Sequence, residues 1–256
     1  MTSLFNNIIF GPVHSRRLGL SLGVNLLPTH SKLCNFDCIY CECGWNAERR
    51  GSGAFNTKEE VTEALEVKLN EMIAEGQIPD VITFAGNGEP TLHPHFEDII
   101  DETIALRNRL VPSAKVSVLS NATRIALPSV RRALKRVDNN ILKLDSASTK
   151  VAKDINQPQG AYSIEEVVDN MLLFEGDLIV QSMFLRGECN GQIIDNTTES
   201  AIEEWLQLIK KIAPKAVMVY SIDRDTPCKT LEKVERDELL QIAQKVKNIG
   251  IECSVA

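Results

Sequence analysis

The sequence contains no long apolar segment. None of its apolar runs approaches the roughly 18 residues that a membrane-spanning helix needs, so we expect no membrane partner. The first residues, Met-Thr-Ser-Leu-Phe-Asn-Asn, lack the basic and apolar regions of a secretory signal peptide. Both absences predict a cytoplasmic location, where thiols stay reduced. Repeats and low-complexity segments are also absent, and 256 residues with 43% apolar side chains can form one sizeable core.

The chain also lacks an excess of basic residues. It has 28 Lys and Arg against 35 Asp and Glu, a formal net charge of −7, and no basic tail. Proteins that bind duplex DNA or anionic membranes generally show a basic surface, so we expect no DNA partner. A local basic pocket remains compatible with these numbers. The four histidines show no ligand spacing such as i, i+4, so none of them is assigned to a metal.

Apolar strand-like runs alternate with helical patterns along most of the chain. The predicted strands cover 23–27, 81–85, 115–119, 141–145, 178–184, 216–222 and 251–255. The predicted helices cover 57–76, 96–109, 128–136, 163–176, 198–213 and 235–248. Those that begin at Thr57 and Ser163 have the spacing of a capping box.

Six strand–helix units are too few for a closed eightfold barrel. The alternation therefore predicts an α/β fold class, an open partial (β/α)6 TIM-like barrel with a parallel sheet and right-handed crossovers. In such folds ligands bind at the carboxyl ends of the strands. The polar clusters of this sequence fall at those ends.

Three of the seven cysteines are crowded into eight residues, directly after the first predicted strand. The x3, x2 spacing of Cys34, Cys38 and Cys41 allows three thiolates to bind three corners of a [4Fe–4S] cluster, which leaves the fourth iron open. The alternative is structural zinc, which needs a fourth protein ligand. Cys43 could serve, but a Cys-x-Cys pair is poorly placed to bind one zinc ion. The spacing therefore favours the cluster.

With Tyr40 directly before its last cysteine, this motif resembles that of the radical S-adenosylmethionine (SAM) superfamily. The stretch 11–41 is similar to one branch of it, the Fe–S oxidoreductases related to the wybutosine tRNA-synthesis enzymes. The resemblance continues through 86–94, 143–145 and 220–227, and so covers most of the chain. It implies that Tyr40 lies against the adenine of SAM.

The resemblance also implies a reaction. SAM would bind the open iron of the cluster, and an electron from the reduced cluster would release a 5′-deoxyadenosyl radical that abstracts hydrogen from a substrate. A low-potential electron donor, such as flavodoxin or ferredoxin, would supply the electron. Residues 1–256 would then form a single radical SAM core domain. The substrate stays open between a small molecule and RNA.

Several cofactor-binding residues follow from the same resemblance. Asn87, Gly88 and Glu89 come after the second predicted strand, where the family has a glycine-glutamate turn that holds the methionine ammonium. Asn87 replaces one of two adjacent glycines in that pattern. Ser120 and Asn121 end the third strand, in the position of residues that contact the SAM carboxylate or ribose.

Charged residues near the strand ends are the catalytic candidates. Lys143 and Asp145 alternate with leucines, so both side chains are expected on one face, pointing into the barrel. There they need a ligand or each other as partners. Gln181, Arg186 and Arg224 lie around the ends of the fifth and sixth strands and are candidates for anionic parts of SAM or of the substrate.

The leading interpretation is a radical SAM enzyme acting on an unidentified substrate, anionic or RNA-derived. One alternative is an activating enzyme for a glycyl-radical partner, because such activases are similarly short and use the same cysteine spacing. Another is a non-catalytic Fe–S or zinc-binding module. Cys189 and Cys228 are expected on the same face as the cysteine motif, as reactive thiols, as ligands of an auxiliary cluster, or without a role.

Overall fold

Strands and helices alternate through most of the computed structural model, which describes residues 3–15, 18–49, 51 and 53–256. The strands are β1 (Ile9–Ser15), β2 (Gly19–Val24), β3 (Val81–Phe84), β4 (Lys115–Ser120), β5 (Asn139–Lys143), β6 (Ile179–Met183), β7 (Leu185–Cys189), β8 (Gln192–Asp195), β9 (Ala216–Tyr220), β10 (Leu231–Lys233) and β11 (Glu252–Val255). The helices are α1 (Asn46–Arg49), α2 (Lys58–Ala74), α3 (Phe96–Leu110), α4 (Pro128–Leu134), α5 (Thr149–Asn156), α6 (Ile164–Leu172), α7 (Glu199–Ile212) and α8 (Arg236–Asn248).

One eight-stranded sheet runs in the order β1-β2-β3-β4-β5-β6-β9-β11. From β2 to β11 all neighbouring strands are parallel, and β1 pairs antiparallel with β2 at one edge. The curled sheet forms a half-barrel, which confirms the open (β/α)6 architecture. No helix among the described residues is long and apolar enough to cross a membrane.

The first strand differs from the expectation of 23–27. It lies at Gly19–Val24, because Asn25 leaves the sheet: its side-chain Oδ1 accepts from Leu27 N at 3.2 Å and turns the chain. β1 was not predicted, and its Phe10 ring lies over Gly23, where a Cβ would come within 2.2 Å of the ring. Arg16 and Arg17, which belong to the stretch 11–41, lie outside the described residues.

The two predicted capping boxes have different outcomes. At Thr57 both bonds are present: the hydroxyl accepts from Glu60 N, and the Glu60 carboxylate accepts from Thr57 N. The prediction at Ser163 was wrong, because its side chain makes no capping bond. The adjacent Ile164 N donates instead to the hydroxyl of Thr149, at the start of α5, at 3.1 Å.

Helix α5 and a second, three-stranded sheet were not predicted. The small sheet has the order β10-β7-β8 and extends the carboxyl end of β6. Asn196 fixes it there, since its Oδ1 accepts from Leu185 N at 2.9 Å while its Nδ2 donates to Met183 O and Asp145 O at 2.7 and 2.8 Å. The unpredicted elements therefore stand beside the strand ends where ligands bind.

The strand at β5 distributes its side chains as its alternation predicts. Leu142 and Leu144 are fully buried in the main core between the sheet and the helices. Lys143 points the other way, into the half-barrel, beside Gln181 of the neighbouring strand β6. The apolar face thus packs the helices and leaves the polar side chains facing the inner cavity.

Candidate active site

The cysteine loop lies between β2 and α1, at the carboxyl end of the sheet, and its backbone is fixed on both sides. Leu33 N donates to Asn87 O at 2.9 Å, and Ile39 N donates to Ile155 O, near the end of α5, at 3.0 Å. Gly88 forms a parallel bridge with Leu33, and a Cβ at position 88 would lie 1.8 Å from Leu33 O. Only glycine permits this close approach of the two segments.

A cavity of about 400 Å³ opens at the mouth of the half-barrel. The structure brings to its walls the three predicted cluster cysteines together with Tyr40, Gly88, Glu89, Ser120, Asn121, Lys143 and Gln181. Most of the residues that the sequence assigns to cluster and cofactor therefore share one space, drawn from the ends of β3 to β6 and from the cysteine loop.

Cys34, Cys38 and Cys41 line this cavity without converging on one point. Among the residues that the structure describes, no three His, Cys, Asp or Glu side chains form a group that could hold a single metal ion. A [4Fe–4S] cube binds its thiolates at separate iron ions, whereas zinc draws its ligands to about 2.3 Å from one centre. Three thiols in one cavity supply the donor set that such a cube needs and would leave its fourth iron open.

The environments of Cys34 and Cys38 are strongly desolvated. Burial and the nearby Glu89 charge raise the pKa of Cys34 to about 12, although Phe36 N donates to its Sγ at 3.4 Å. Burial also raises the pKa of Cys38, whose Sγ donates to Asn156 Oδ1 at 3.2 Å. These two thiols become good ligands when a metal takes the place of the proton.

Cys41 differs because a buried lysine lies beside it. The hydrogen bond with Cys43 and the Lys32 ammonium lower the pKa of Cys41 against the effect of its burial. The Lys32 side chain is 1% exposed, and its Nζ donates to Gly44 O at 2.7 Å and to Asp37 Oδ1 at 3.3 Å. Burial acts to lower the pKa of Lys32, but the nearby thiolate and carboxylate charges outweigh it and raise that pKa.

Sequence reasoning missed Lys32. Its only signal is its place two residues before the first cysteine of the motif, and a lone lysine in a polar loop is ordinarily exposed. In the structure it puts one positive charge beside the thiolates. An ammonium at this position would offset part of the negative charge of a cluster held by three thiolates.

Glu89 is buried and accepts four hydrogen bonds. Its Oε1 accepts from Thr91 N, the Thr91 hydroxyl and the Ser120 hydroxyl at 3.1, 2.6 and 2.8 Å, and its Oε2 accepts from Asn121 N at 2.7 Å. Burial raises the pKa of Glu89, while these donors act to lower it. The carboxylate thus joins the turn after β3 to the end of β4, and Oε2, with a single bond, keeps acceptor capacity.

Asn87 holds a segment of the chain against the cavity. Its Oδ1 accepts from Phe5 N at 2.8 Å, and its Nδ2 donates to Phe5 O and Pro28 O at 2.9 and 2.8 Å. Phe5 stacks on Phe10 with ring centroids 3.8 Å apart, and both rings line the cavity. Asn87 itself is fully buried and is not among the residues that line the cavity, so its assignment to cofactor binding stays a prediction.

Tyr40, Lys143 and Asp145 form a connected group. Lys143 Nζ lies 3.4 Å from Asp145 Oδ2, in contact with the Tyr40 hydroxyl, which itself donates to the same oxygen at 2.7 Å. Asp145 is fully buried, and its Oδ1 accepts from Met183 N at 2.9 Å. Burial acts to lower the pKa of Lys143, but the Asp145 charge raises it. Of the two expectations for this pair, the structure shows the mutual ion pair, with Lys143 at the cavity wall.

The two predicted arginines do not reach the cavity. Arg186 lies on β7 and forms an ion pair with Glu238 of α8. Arg224 is 70% exposed and pairs with Glu42, whose own side chain borders the cavity, at 2.7 Å. Both arginines have carboxylate partners that satisfy their charge, so the structure does not support a catalytic position for either.

Cys189 and Cys228 come together beside the small sheet. Burial and a hydrogen bond with Cys228 raise the pKa of Cys189 to about 12. Cys228 Sγ donates to Glu188 O at 3.3 Å, and Cys228 N to Ile39 O at 3.2 Å. The pair packs behind the cysteine loop and does not line the cavity.

A curled parallel sheet carries at its mouth three cysteines with the spacing of [4Fe–4S] ligands. This combination defines the class of iron–sulfur proteins with a half-barrel fold. The chain belongs to the Radical SAM superfamily, which matches it over residues 29–176. This assignment confirms the expected family and its cofactors, a [4Fe–4S] cluster and SAM. As a member, the chain is an enzyme of radical chemistry.

The chain is similar in sequence to curated relatives and in fold to solved structures. A UPF0026 protein of Helicobacter pylori is 30% identical over 238 residues, which are 91% of this chain and 72% of that protein. A radical SAM methyltransferase from Sphaerobacter thermophilus superposes with a TM-score of 0.68 at 13% identity, over 92% of this chain but only 65% of its own. Archaeal TYW1 gives a TM-score of 0.55 at 13% identity, over 89% of this chain and 71% of its own. At these identities the two structures show the fold alone.

Proposed function

We propose that this protein reductively cleaves SAM at a [4Fe–4S] cluster held by Cys34, Cys38 and Cys41 and abstracts hydrogen from a substrate bound in the same cavity. The observation that carries the proposal is the shared space: the three thiols and all the predicted SAM-binding residues except Asn87 line one cavity of about 400 Å³. When bound, cluster and SAM together supply the 5′-deoxyadenosyl radical. The protein provides the ligands, the orientation and a partly enclosed site.

Different residues of the cavity have different roles in the proposed binding of SAM. Glu89 Oε2 has the acceptor capacity to bind the methionine ammonium, and Gly88 gives the backbone close access to a ligand. Ser120 and Asn121, which hydrogen-bond to Glu89, and Gln181 on β6 offer polar groups at the cavity wall for the carboxylate and ribose. Tyr40 stays in place against the adenine because its hydroxyl donates to buried Asp145.

The substrate we propose carries an anionic group and is a small molecule or derived from RNA. Lys143 is the one Lys or Arg among the described residues that line the cavity, and Asp145 holds it at the wall. Its Nζ has one of its three N–H donors left for an anion after contacting Asp145 and Tyr40. We further propose a low-potential donor such as flavodoxin or ferredoxin, a cytoplasmic location, and one radical SAM core domain over residues 1–256, supported by a sheet whose strands run from residue 9 to 255.

The test is anaerobic reconstitution with iron and sulfide, followed by reduction in the presence of SAM. We expect cluster absorbance and 5′-deoxyadenosine from the wild-type protein, and loss of both in Cys38→Ala. The matched control is Cys253→Ala, a buried cysteine of β11 outside the cavity, which should keep both. A protein that keeps its iron without Cys38, or that assembles the cluster but forms no 5′-deoxyadenosine, would contradict the proposal and favour a binding module.

Deuterated candidate substrates then identify the reaction partner. Transfer of deuterium into 5′-deoxyadenosine marks the molecule from which hydrogen is taken. A protein partner that acquires a stable backbone radical, in place of a small molecule or RNA fragment, would instead identify an activase.

A further inference from the structure

Asn156, the last residue of α5, is buried beside Cys38, and the NH2 group of its side-chain amide has no hydrogen-bond partner among the described residues. It is 1% exposed, and its Oδ1 accepts from Cys38 Sγ at 3.2 Å. Its backbone O accepts from Asp37 N at 3.0 Å, so the residue is held close to the cysteine loop independently of its side chain.

This hydrogen bond exists only while Cys38 carries a proton. A cysteine that ligates iron is a thiolate, and a thiolate can only accept. With the amide in the same orientation, two acceptors would face each other at the distance of the present bond. A half-turn about the terminal torsion, which has a broad two-fold profile, replaces Oδ1 by the unpaired Nδ2.

We propose that Asn156 is a positioning residue that donates an N–H···S hydrogen bond to the Cys38 thiolate and thereby raises the reduction potential of the cluster. This inference rests on the proposed function. Addition of an electron makes the cluster and its thiolates more negative, so a donor stabilises the reduced form more than the oxidised one. Phe36 N already contacts Cys34 Sγ and Lys32 lies beside Cys41, so Asn156 supplies the third thiolate with its own donor.

The reconstituted protein tests this through the midpoint potential, followed by electron paramagnetic resonance. In Asn156→Leu the ratio of reduced to oxidised cluster at a fixed potential should fall about tenfold, equivalent to about 59 mV for a one-electron couple. Asn140→Leu is the matched control: Asn140 is also 1% exposed with an unpaired amide, but it lies on β5 away from the cysteine loop. Its potential should equal that of the wild type.

Asn156→Ala removes the same donor without adding bulk beside Cys38 and should show the same shift. In protein labelled with ¹⁵N at asparagine, the reduced wild-type cluster should show a nitrogen coupling from Asn156 beside one from Asn121, whose Nδ2 lies 3.9 Å from Cys34 Sγ. Both Asn156 variants should lose the first coupling and keep the second, and Asn140→Leu should keep both.

A wild-type potential in either cluster-loaded Asn156 variant, an equal shift in Asn140→Leu, or nitrogen couplings in the Asn156 variants identical to those of the wild type would overturn the inference. In all these cases SAM cleavage persists, so the proposed function stands. A wild-type protein that assembles no cluster refutes the proposed function and this inference together.

Discussion

Replacing Glu89 by Gln tests how strongly the proposed SAM site is tied to the fold. The carboxylate accepts all four of its hydrogen bonds from protein donors, three at Oε1 and one at Oε2. Gln has one oxygen and one NH2 group, so one side of the carboxylate becomes a donor. The less costly orientation keeps the oxygen toward Thr91 and Ser120 and turns the NH2 group toward Asn121 N.

That orientation leaves the backbone N–H of Asn121 buried without an acceptor, which costs about 1–3 kcal/mol. Removal of the charge offsets part of this loss of folding free energy, because burial raises the pKa of Glu89 and so opposes the charged form. We expect a net loss of about 1–2 kcal/mol, or a fall in Tm of about 2–8 °C for a chain of this size. The lost carboxylate should also weaken SAM binding by about ten- to a hundredfold.

Thermal unfolding of the cluster-loaded protein measures the first effect, and calorimetric titration with SAM well below Tm measures the second. Glu97→Gln is the control, since Glu97 forms ion pairs with Arg132 and Arg136 on the surface and should change neither quantity appreciably. A wild-type Tm for Glu89→Gln would refute the structural part of the reasoning. A lowered Tm with unchanged SAM affinity would leave Glu89 a purely structural group.

Three further predictions concern groups outside the cluster ligands. Replacing Asn87 by Ala removes three hydrogen bonds worth about 1 kcal/mol each, so amide exchange at Phe5 should become markedly faster, and unchanged exchange would contradict the proposed attachment. Cys189→Ser with Cys228→Ser should leave the iron content unchanged, whereas loss of iron would reveal a second cluster site. Burial lowers the pKa of His93, so the unfolded chain takes up a proton there first; stability should therefore fall as the pH drops below about 6.5, and by less in His93→Gln, as equilibrium unfolding at each pH would show.

The sequence predicted those parts of the site that depend on local spacing. Each of three signals depends on a few neighbouring residues: the cysteine motif, the glycine-glutamate turn and the alternation of Lys143 with leucines. The residues they pointed to, which are the three cysteines, Gly88, Glu89 and Lys143, all line the cavity. The ion-pair partner of Arg186 was not predicted, because an unpredicted strand, β7, carries this residue toward Glu238 on helix α8.

Long-range partners could not be predicted in the same way. The roles of Lys32, Asn87 and Asn156 depend on which segments fold against one another, and residues 38 and 156 are far apart in sequence. The antiparallel strand β1 gave no distinct signal either, because its short, mixed polar and apolar run has little of the continuous apolar character of the buried parallel strands.

Several of the bonds that hold the cysteine loop in place do not involve its thiols. Leu33, Asp37 and Ile39 donate through their backbones to neighbouring segments, and the Lys32 ammonium closes the loop onto Gly44 O. Zinc fingers, by contrast, fold only when the metal binds, so their metal affinity is spent on ordering the chain. In this chain, backbone hydrogen bonds to neighbouring segments share the task of ordering the loop. We therefore expect less of the free energy of cluster binding to go into ordering the loop than in a zinc finger.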